Sequence, residues 1–205
     1  MVKDIKSENN YQVGAFERSG NPEQLTVVGD SLYFSVIGKE LWKTDGTERG
    51  TVMIKDFTTN DGGDLLELKE VNGKLVFIVE KDVARPEEAK LWTTDGTKAG
   101  TKILQDPIHT YTPFYKVGKK LYYPLRTQKY GTEIWITDGT KTGTHILKDI
   151  YKGTKSGLGA GGKFFGAIGD KLLFSANTPE YMIDGEIWIT DGTENGTKRV
   201  THLQP

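Results

Sequence analysis

The side chains best suited to chemistry recur in one motif, Asp-Gly-Thr, which appears four times in 205 residues. Its aspartates are Asp45, Asp95, Asp138 and Asp191. A calcium site needs about six to eight oxygen ligands, so calcium-binding loops place several carboxylates close together. Each turn here offers one aspartate, with Glu48 or Glu194 nearby in only two copies. We therefore predict structural turns in which Asp bonds the backbone two residues on, with no metal site and no cofactor.

Other candidates for catalysis are scattered along the chain. His109, His145 and His202 lie in different copies of the pattern and not at equivalent positions. Cysteine is absent, which excludes a thiol nucleophile, and no serine lies in a nucleophile elbow. Residues 157–163 have the glycine spacing of a phosphate loop, but Phe164 follows in place of Ser or Thr and a strand is predicted next. The sequence therefore favours a protein that is not an enzyme.

Aromatic and basic residues in the longer predicted loops are suited to binding. Loops on a rigid scaffold are where binding residues concentrate. Aromatic rings can stack on a sugar or protein surface, and Arg or Lys can supply hydrogen bonds. The candidate ligand-binding residues are Tyr11, Phe16, Arg18, Arg85, His109, Tyr111, Arg126, Tyr130, Lys155 and Tyr181.

The elements that position these residues follow from a repeat. Each of the four tryptophans lies three residues before a motif aspartate, and the tryptophans are 50, 43 and 53 residues apart. Such periods are typical of supersecondary units that bury a core against their neighbours. We therefore predict a structural role for the motif, with the tryptophans packed between adjacent units. The structural motif residues are Trp42, Asp45, Trp92, Asp95, Trp135, Asp138, Trp188 and Asp191.

Every repeat has the same order of predicted elements. A short apolar stretch, a two-residue turn containing Gly and a second apolar run predict a tight hairpin. The Trp strand, the Asp-Gly-Thr turn and a last strand follow. Four antiparallel strands, repeated four times, predict an all-β fold, namely a β-propeller of four blades with four strands each. The alternative is an open β-solenoid or a pair of sandwiches.

The chain is predicted to be one propeller domain over residues 1–205, with repeats at about 24–57, 65–106, 114–150 and 163–203. Residues 2–5 match 54–57 and 147–150, so they are predicted to be a surplus outer strand. Either this strand competes for closure of the ring, or the chain is a segment of a larger propeller or array. Pro124 lies in a strand internal to its blade, where it cannot donate to the ladder, so we predict a bulge or local break there.

The amino-acid composition limits the classes of partner that the protein is expected to bind. Lys and Arg number 27 against 28 for Asp and Glu, and only five of the basic residues are Arg. Arg is the residue favoured for phosphate and base recognition, so nucleic-acid binding is disfavoured. No apolar run approaches the roughly 20 residues that span a bilayer, so membrane insertion is not expected.

The motif resembles the bacterial ELWxxDGT repeat family. Its signature is intact at residues 40–47, and residues 133–140 and 186–193 keep it with Ile for Leu, whereas the second repeat has Lys90 in place of Glu. The resemblance covers nearly the whole chain. It implies a propeller-like protein of the bacterial surface or a secreted one, hence an extracellular location, with no common catalytic activity.

The hairpin order also separates two ends of each unit. Tight turns lie at one end of the strands and the long, dissimilar loops at the other. We predict a non-enzymatic binding or adhesion module that recognises carbohydrate or protein on its long-loop face. The alternatives are a structural array that self-associates by exchange of terminal strands and, more remotely, a polysaccharide-active hydrolase or lyase with acidic residues in a central channel.

Overall fold

The computed structural model describes residues 3, 5, 21–58, 62–81, 89–108, 114–159, 163–178 and 181–201, with the backbone only at 181–184. Within these ranges the chain forms β-strands, turns and loops, and it contains no helix. Consequently none of the described segments is a helix long and apolar enough to cross a membrane.

The strands form four sheets, which we number in chain order. Sheet 1 consists of β1 (Pro22–Val28), β2 (Ser31–Val36), β3 (Glu40–Thr44) and β4 (Val52–Asp56). Sheet 2 consists of β5 (Asp64–Val71), β6 (Lys74–Glu80), β7 (Ala89–Thr94) and β8 (Lys102–Ile108). Sheet 3 consists of β9 (Tyr115–Val117), β10 (Lys120–Thr127), β11 (Gly131–Thr137) and β12 (His145–Lys148). Sheet 4 consists of β13 (Phe164–Ile168), β14 (Lys171–Thr178), β15 (Tyr181–Thr190) and β16 (Lys198–Arg199).

Every sheet has four strands in sequence order. This confirms the predicted all-β fold and the four-stranded hairpin unit. The hairpin turns have the backbone that their residues favour, since Gly29, Gly118 and Gly169 have φ of 56°, 56° and 62°, and Asn72 and Gly73 both have positive φ. A leading Gly suits a type II′ turn and Asn-Gly a type I′ turn.

The two faces of each sheet differ in composition. One face pairs an aromatic ring of the second strand with the motif tryptophan, and we call it the Trp face. These pairs are Phe34–Trp42, Phe77–Trp92, Tyr123–Trp135 and Phe174–Trp188. The opposite face, which we call the aliphatic face, carries a row of large apolar residues. By register these residues are Val28, Tyr33, Leu41 and Ile54 in sheet 1, Val71, Val76 and Leu91 in sheet 2, Val117, Tyr122, Ile134 and Leu147 in sheet 3, and Ile168, Leu173 and Ile187 in sheet 4. Leu104 in β8 and Val200, directly after β16, take the place of Ile54 and Leu147 by alignment of the repeat, three residues after the last Thr of the motif.

The chain divides into two compact units, Met1–Pro107 and Ile108–Pro205. In the first unit the aliphatic face of sheet 1 packs on the Trp face of sheet 2, where Trp92 meets Phe57 edge-on at 5.2 Å between ring centroids. In the second unit the aliphatic face of sheet 3 packs on the Trp face of sheet 4 in the same way. Each unit therefore buries its core between two sheets.

The bulge predicted at Pro124 is absent from the pairing of β10 with β11. β10 pairs with β11 without a register shift, and Pro124 stands opposite Ile134. On its other side β10 pairs with β9 at Lys120, Leu121 and Tyr122. The position that would face Pro124 on that side lies outside the described residues, so a local break there stays a prediction.

The strands predicted at the two ends of the chain are described only in part. Lys3 and Ile5 lie outside any strand, and residues 2 and 4 are outside the described residues. Lys3 Nζ donates to the Thr51 carbonyl oxygen at 2.9 Å and lies 5.8 Å from the Trp42 ring centroid. The last predicted strand is observed as Lys198–Arg199, and residues 202 and 203 fall outside the described residues.

Candidate functional site

The Asp-Gly-Thr turns are closed networks of hydrogen bonds. In sheet 1, Asp45 Oδ1 accepts from the Thr47 N–H at 2.9 Å and from the Thr47 hydroxyl at 2.7 Å. The Thr47 hydroxyl oxygen accepts from the Gly50 N–H at 2.9 Å, and the Thr44 and Thr51 hydroxyls are 2.7 Å apart. The other three turns repeat all four bonds. Each motif carboxylate therefore bonds inside its own turn.

The two glycine positions of the motif favour glycine for different physical reasons. Gly46 has a φ of 89°, a left-handed conformation that disfavours other residues. A Cβ atom at Gly50 would collide with the Asp45 carboxylate. The Thr hydrogen bonds hold the pKa of Asp45, Asp95 and Asp191 below the ordinary value. In the described part of the chain no three His, Asp or Glu side chains cluster to hold a metal ion.

The glutamate that precedes each Trp is buried in three of the sheets. Glu40 accepts from the Trp42 indole N–H at 2.9 Å, and Glu186 accepts from the Thr201 hydroxyl at 2.6 Å. In the second repeat Lys90 replaces this glutamate and forms an ion pair with Asp106 at 3.2 Å. The glutamate of the third repeat, Glu133, is different because it binds a loop.

Glu133 is fully buried and accepts three backbone hydrogen bonds from the segment after β12. The donors are the N–H groups of Ile150 at 3.2 Å, Tyr151 at 3.1 Å and Gly157 at 2.8 Å. Burial raises the pKa of Glu133 to about 7, against the lowering effect of these three donors, and Asp149 nearby raises it further. A carboxylate with so many backbone partners serves as an anchor for the loop.

Further bonds hold the same segment along the start of β11. Ser156 Oγ accepts from the Thr132 N–H at 3.0 Å, and the Leu158 N–H donates to the Thr132 carbonyl oxygen at 2.9 Å. Leu158 is buried in the core of the second unit. Gly131, with a φ of 64°, lies so close to the backbone of Lys155 that a Cβ there would collide with the Lys155 carbonyl. Residues 150–158 are thus fixed against the β10–β11 turn.

This arrangement places three predicted ligand-binding residues on two adjoining segments. Tyr130 lies in the β10–β11 turn, Arg126 stands opposite Thr132, and Lys155 lies in the loop that passes Gly131. Arg126 and Lys155 are exposed, and Tyr130 is half-buried. We call the turn 128–130 and the loop 150–158, with Arg126, the loop platform.

The loop platform is basic. Lys129 Nζ lies 4.6 Å from the centroid of the Tyr130 ring, and its hydrogen bond with Tyr130 raises the pKa of Lys129. Lys152 is exposed on the same loop, whereas the Asp149 Oδ2 is used by the Gly153 N–H at 3.2 Å. The platform therefore presents an aromatic ring among several cations.

The remaining predicted site residues are not brought into this arrangement. Tyr11, Phe16, Arg18, Arg85, His109 and Tyr111 lie outside the described residues. Tyr181 begins β15, and only its backbone is described.

Sequence reasoning did not find Lys129, Lys152 or the role of Glu133. Lys129 and Lys152 have a sequence signal, because each adjoins a tyrosine in a predicted loop. Glu133 has none, since the same glutamate in sheets 1 and 4 bonds to side chains of its own sheet. Its loop partners become visible only when the chain is folded.

Comparison with known proteins bears on the fold alone. No protein-family profile matches the chain, and no curated protein does. Among solved structures, an acylaminoacyl peptidase from Pyrococcus horikoshii superposes with a TM-score of 0.50 at 14% identity, over 91% of this chain and 28% of that chain. The chain therefore spans less than a third of the peptidase's length, and the likeness is one of fold.

Two further solved structures are similar at lower scores. The computationally designed Ika8 protein has a TM-score of 0.43 at 12% identity, over 87% of this chain and 48% of that chain. The S511A mutant of puromycin hydrolase has a TM-score of 0.41 at 14% identity, over 91% of this chain and 32% of that chain.

Proposed function

We propose that this chain is a non-enzymatic binding module that recognises an acidic carbohydrate on the loop platform. The observation that carries the proposal is the fixation of residues 150–158 by the buried Glu133 carboxylate. A loop held by several backbone bonds loses little conformational entropy when a ligand binds, which favours affinity.

The side chains of the platform suit a sugar with carboxylate or sulfate groups. The half-buried Tyr130 ring offers a flat surface for the apolar face of a sugar ring. Lys129 Nζ lies 4.6 Å from the ring centroid, and the exposed Arg126, Lys152 and Lys155 add positive charge on the same segments. A neutral sugar would use the ring and leave these cations without partners, so an acidic sugar is the better match.

Glu133 itself is not proposed as a catalytic acid, although burial raises its pKa to about 7. Its side chain has no exposed surface, and its oxygens accept three backbone N–H groups. A substrate could reach it only if the loop left β11. The buried carboxylate thus serves to position the platform.

We also propose that the four sheets are blades of a β-propeller, as a segment of a larger ring or array. Their equal strand order, their repeated outer turn and the packing of one sheet's aliphatic face on the next sheet's Trp face in each unit support this proposal. The ELWxxDGT signature supports a place for the protein on the bacterial surface or outside the cell.

The binding proposal is tested by isothermal titration of an oligogalacturonate and of a neutral glucan oligosaccharide of equal length. We expect binding of the acidic sugar that weakens with added salt. Tyr130→Ala and Lys155→Ala should each weaken it about tenfold or more, a loss of about 1.4 kcal/mol.

Lys98→Ala is the matched control, because Lys98 is an exposed lysine in the Asp-Gly-Thr turn of sheet 2. It should leave binding unchanged. Failure of the acidic sugar to bind, or equal losses in the control and the platform variants, would show that the platform is not the binding site.

A further inference from the structure

The aliphatic face of sheet 4 is open, although the same face is buried in the other three sheets. At the end of the first strand, Val28, Val71 and Val117 are 7%, 0% and 6% exposed in sheets 1 to 3, whereas Ile168 in sheet 4 is 67% exposed. At the outer-strand position Ile54, Leu104 and Leu147 are 3–4% exposed, whereas Val200 is 54% exposed. Leu173 and Ile187, between them on the face, are only half-buried. Within the described residues, no other segment covers Ile168 and Val200 on this face of sheet 4.

The two packed interfaces show what kind of surface covers an aliphatic face. In each unit the cover is the Trp face of the following sheet, with a Leu and an aromatic residue from its second strand beside the tryptophan. In sheet 2 this Trp face comprises Leu68, Leu75, Phe77 and Trp92, all at most 4% exposed. A partner for sheet 4 should have the same four side chains in the same register.

Sheet 1 carries such a Trp face, and that face is partly open. Its register equivalents of the sheet 2 residues are Leu25, Leu32, Phe34 and Trp42. Leu25 is 60% exposed where Leu68 is 4% exposed. Leu32 and Trp42 are half-buried, and Val27 beside them is 64% exposed. Within the described residues, an aliphatic face in sheet 4 and a Trp face in sheet 1 are thus both open.

Each of the two packed interfaces also contains a lysine from the sheet that contributes the aliphatic face. Lys55, from the last strand of sheet 1, lies 5.3 Å from the Trp92 ring centroid, and Lys148, from sheet 3, donates to the Thr197 carbonyl at 3.2 Å. In sheet 4 the equivalent residue is Thr201, whose hydroxyl bonds to Glu186 in its own sheet. Sheet 1 already has a lysine in that place, since Lys3 bonds to the Thr51 carbonyl and lies over Trp42.

We infer that the protein self-associates head to tail: the open aliphatic face of sheet 4 packs on the Trp face of sheet 1 of a second copy. The contact joins two different patches, so it either closes into a ring of copies or continues as a chain. Burial of Ile168, Val200, Leu25 and Trp42 drives it. Lys3 supplies the interface lysine that sheet 4 lacks.

The test is the mass of the full chain, measured by sedimentation velocity over a wide range of concentrations. The parent protein should exceed monomer mass as concentration rises. Val200→Asp and Leu25→Asp should each remain monomeric over that range, with association weakened at least about tenfold. Both side chains are more than half exposed, so near-ultraviolet circular dichroism and thermal unfolding should match the parent.

Mixing the two variants identifies the surfaces. The Val200→Asp chain keeps its sheet 1 face and the Leu25→Asp chain keeps its sheet 4 face, so an equimolar mixture should form a one-to-one dimer. Ala99→Asp, which adds the same single negative charge at an exposed turn, should associate like the parent. If Val200→Asp fails to fold, Ile168→Asp replaces it.

Three results would overturn the inference. A parent protein that is monomeric at every concentration would show that no second copy binds. Normal association of Leu25→Asp would mean that sheet 4 binds something other than sheet 1. Association of Ala99→Asp weakened as much as that of Val200→Asp would show that added charge alone, and not the open face, explains the loss.

Discussion

The motif glutamate changes its role from sheet to sheet although its sequence setting is constant. Glu40 bonds to Trp42, Glu186 bonds to Thr201, and Glu133 holds a loop through three backbone N–H groups. The position is buried in all three cases, and a buried carboxylate must find hydrogen-bond donors. Which donors it finds depends on the connection that follows the fourth strand.

Glu133 makes stability depend on pH. Its pKa is about 7 in the folded chain and near the ordinary 4.5 when unfolded. Between these values the folded chain keeps a proton that the unfolded chain loses, so the free energy of unfolding should fall as pH rises through this window. Urea unfolding below, within and above the window measures the slope.

Glu133→Gln should remove this part of the pH dependence while keeping a neutral acceptor for the loop. Asp30→Asn, at an exposed hairpin turn, is the control and should leave the slope unchanged. An identical slope in Glu133→Gln and the parent would mean that Glu133 does not titrate in this range.

Alanine substitutions at two glycines of the repeated turn distinguish the stability cost of backbone strain from the cost of overpacking. Gly46 and Gly96 have φ of 89° and 86°, but a Cβ meets nothing within 4 Å at Gly46, whereas at Gly96 it would collide with the Tyr33 hydroxyl. Gly46→Ala should cost about 1–2 kcal/mol of unfolding free energy from the left-handed backbone. Gly96→Ala should cost about 1–3 kcal/mol more from overpacking. Equal losses in urea unfolding would contradict contact between Tyr33 and the turn.

At the scale of the element, the Trp strand packs differently from one sheet to another. Trp92 and Trp188 are 4% and 8% exposed, whereas Trp42 and Trp135 are half-buried. Trp92 has Phe57 edge-on and Phe77 stacked at 6.4 Å between centroids. The same sequence pattern thus places its tryptophan in a buried core in one repeat and in a partly exposed position in another.

Trp92→Ala should therefore lower the free energy of unfolding by about 3–5 kcal/mol, as expected for a buried aromatic residue. Trp42→Ala, in the same unit, should lower it by less, because the ring is already half in water. Denaturant unfolding of both variants provides the comparison. A larger loss in Trp42→Ala than in Trp92→Ala would contradict the assignment of the core to the interface between sheets 1 and 2.

At the scale of the whole molecule, four of the six most exposed large apolar side chains in the described residues lie on two sheet faces, and the other two are Val52 and Phe165. Ile168 and Val200 belong to the aliphatic face of sheet 4, and Leu25 and Val27 to the Trp face of sheet 1. Large exposed apolar patches are typical of interaction sites. If the predicted association is observed, each copy presents one loop platform, and several platforms on one assembly would bind a polymeric sugar with avidity.

The sequence by itself determined the elements of this protein because they depend on neighbours in the chain. Apolar runs, Gly-containing turns and the repeated Thr-Asp-Gly-Thr string specify strands and tight turns through backbone conformation and hydrogen bonds a few residues long. Asp45 and Thr47, for example, bond within five residues of each other.

Only the tertiary structure decided how each element is used. Pro124 fits into β10 opposite Ile134 without a register shift, and Glu133 anchors a loop whose residues lie 17 to 24 positions away. Ile168 is exposed while Val28, Val71 and Val117 at the same register are buried. Burial and long-range donors are set by which sheet faces come together, and the repeat pattern is the same in every sheet whether or not a neighbour covers it.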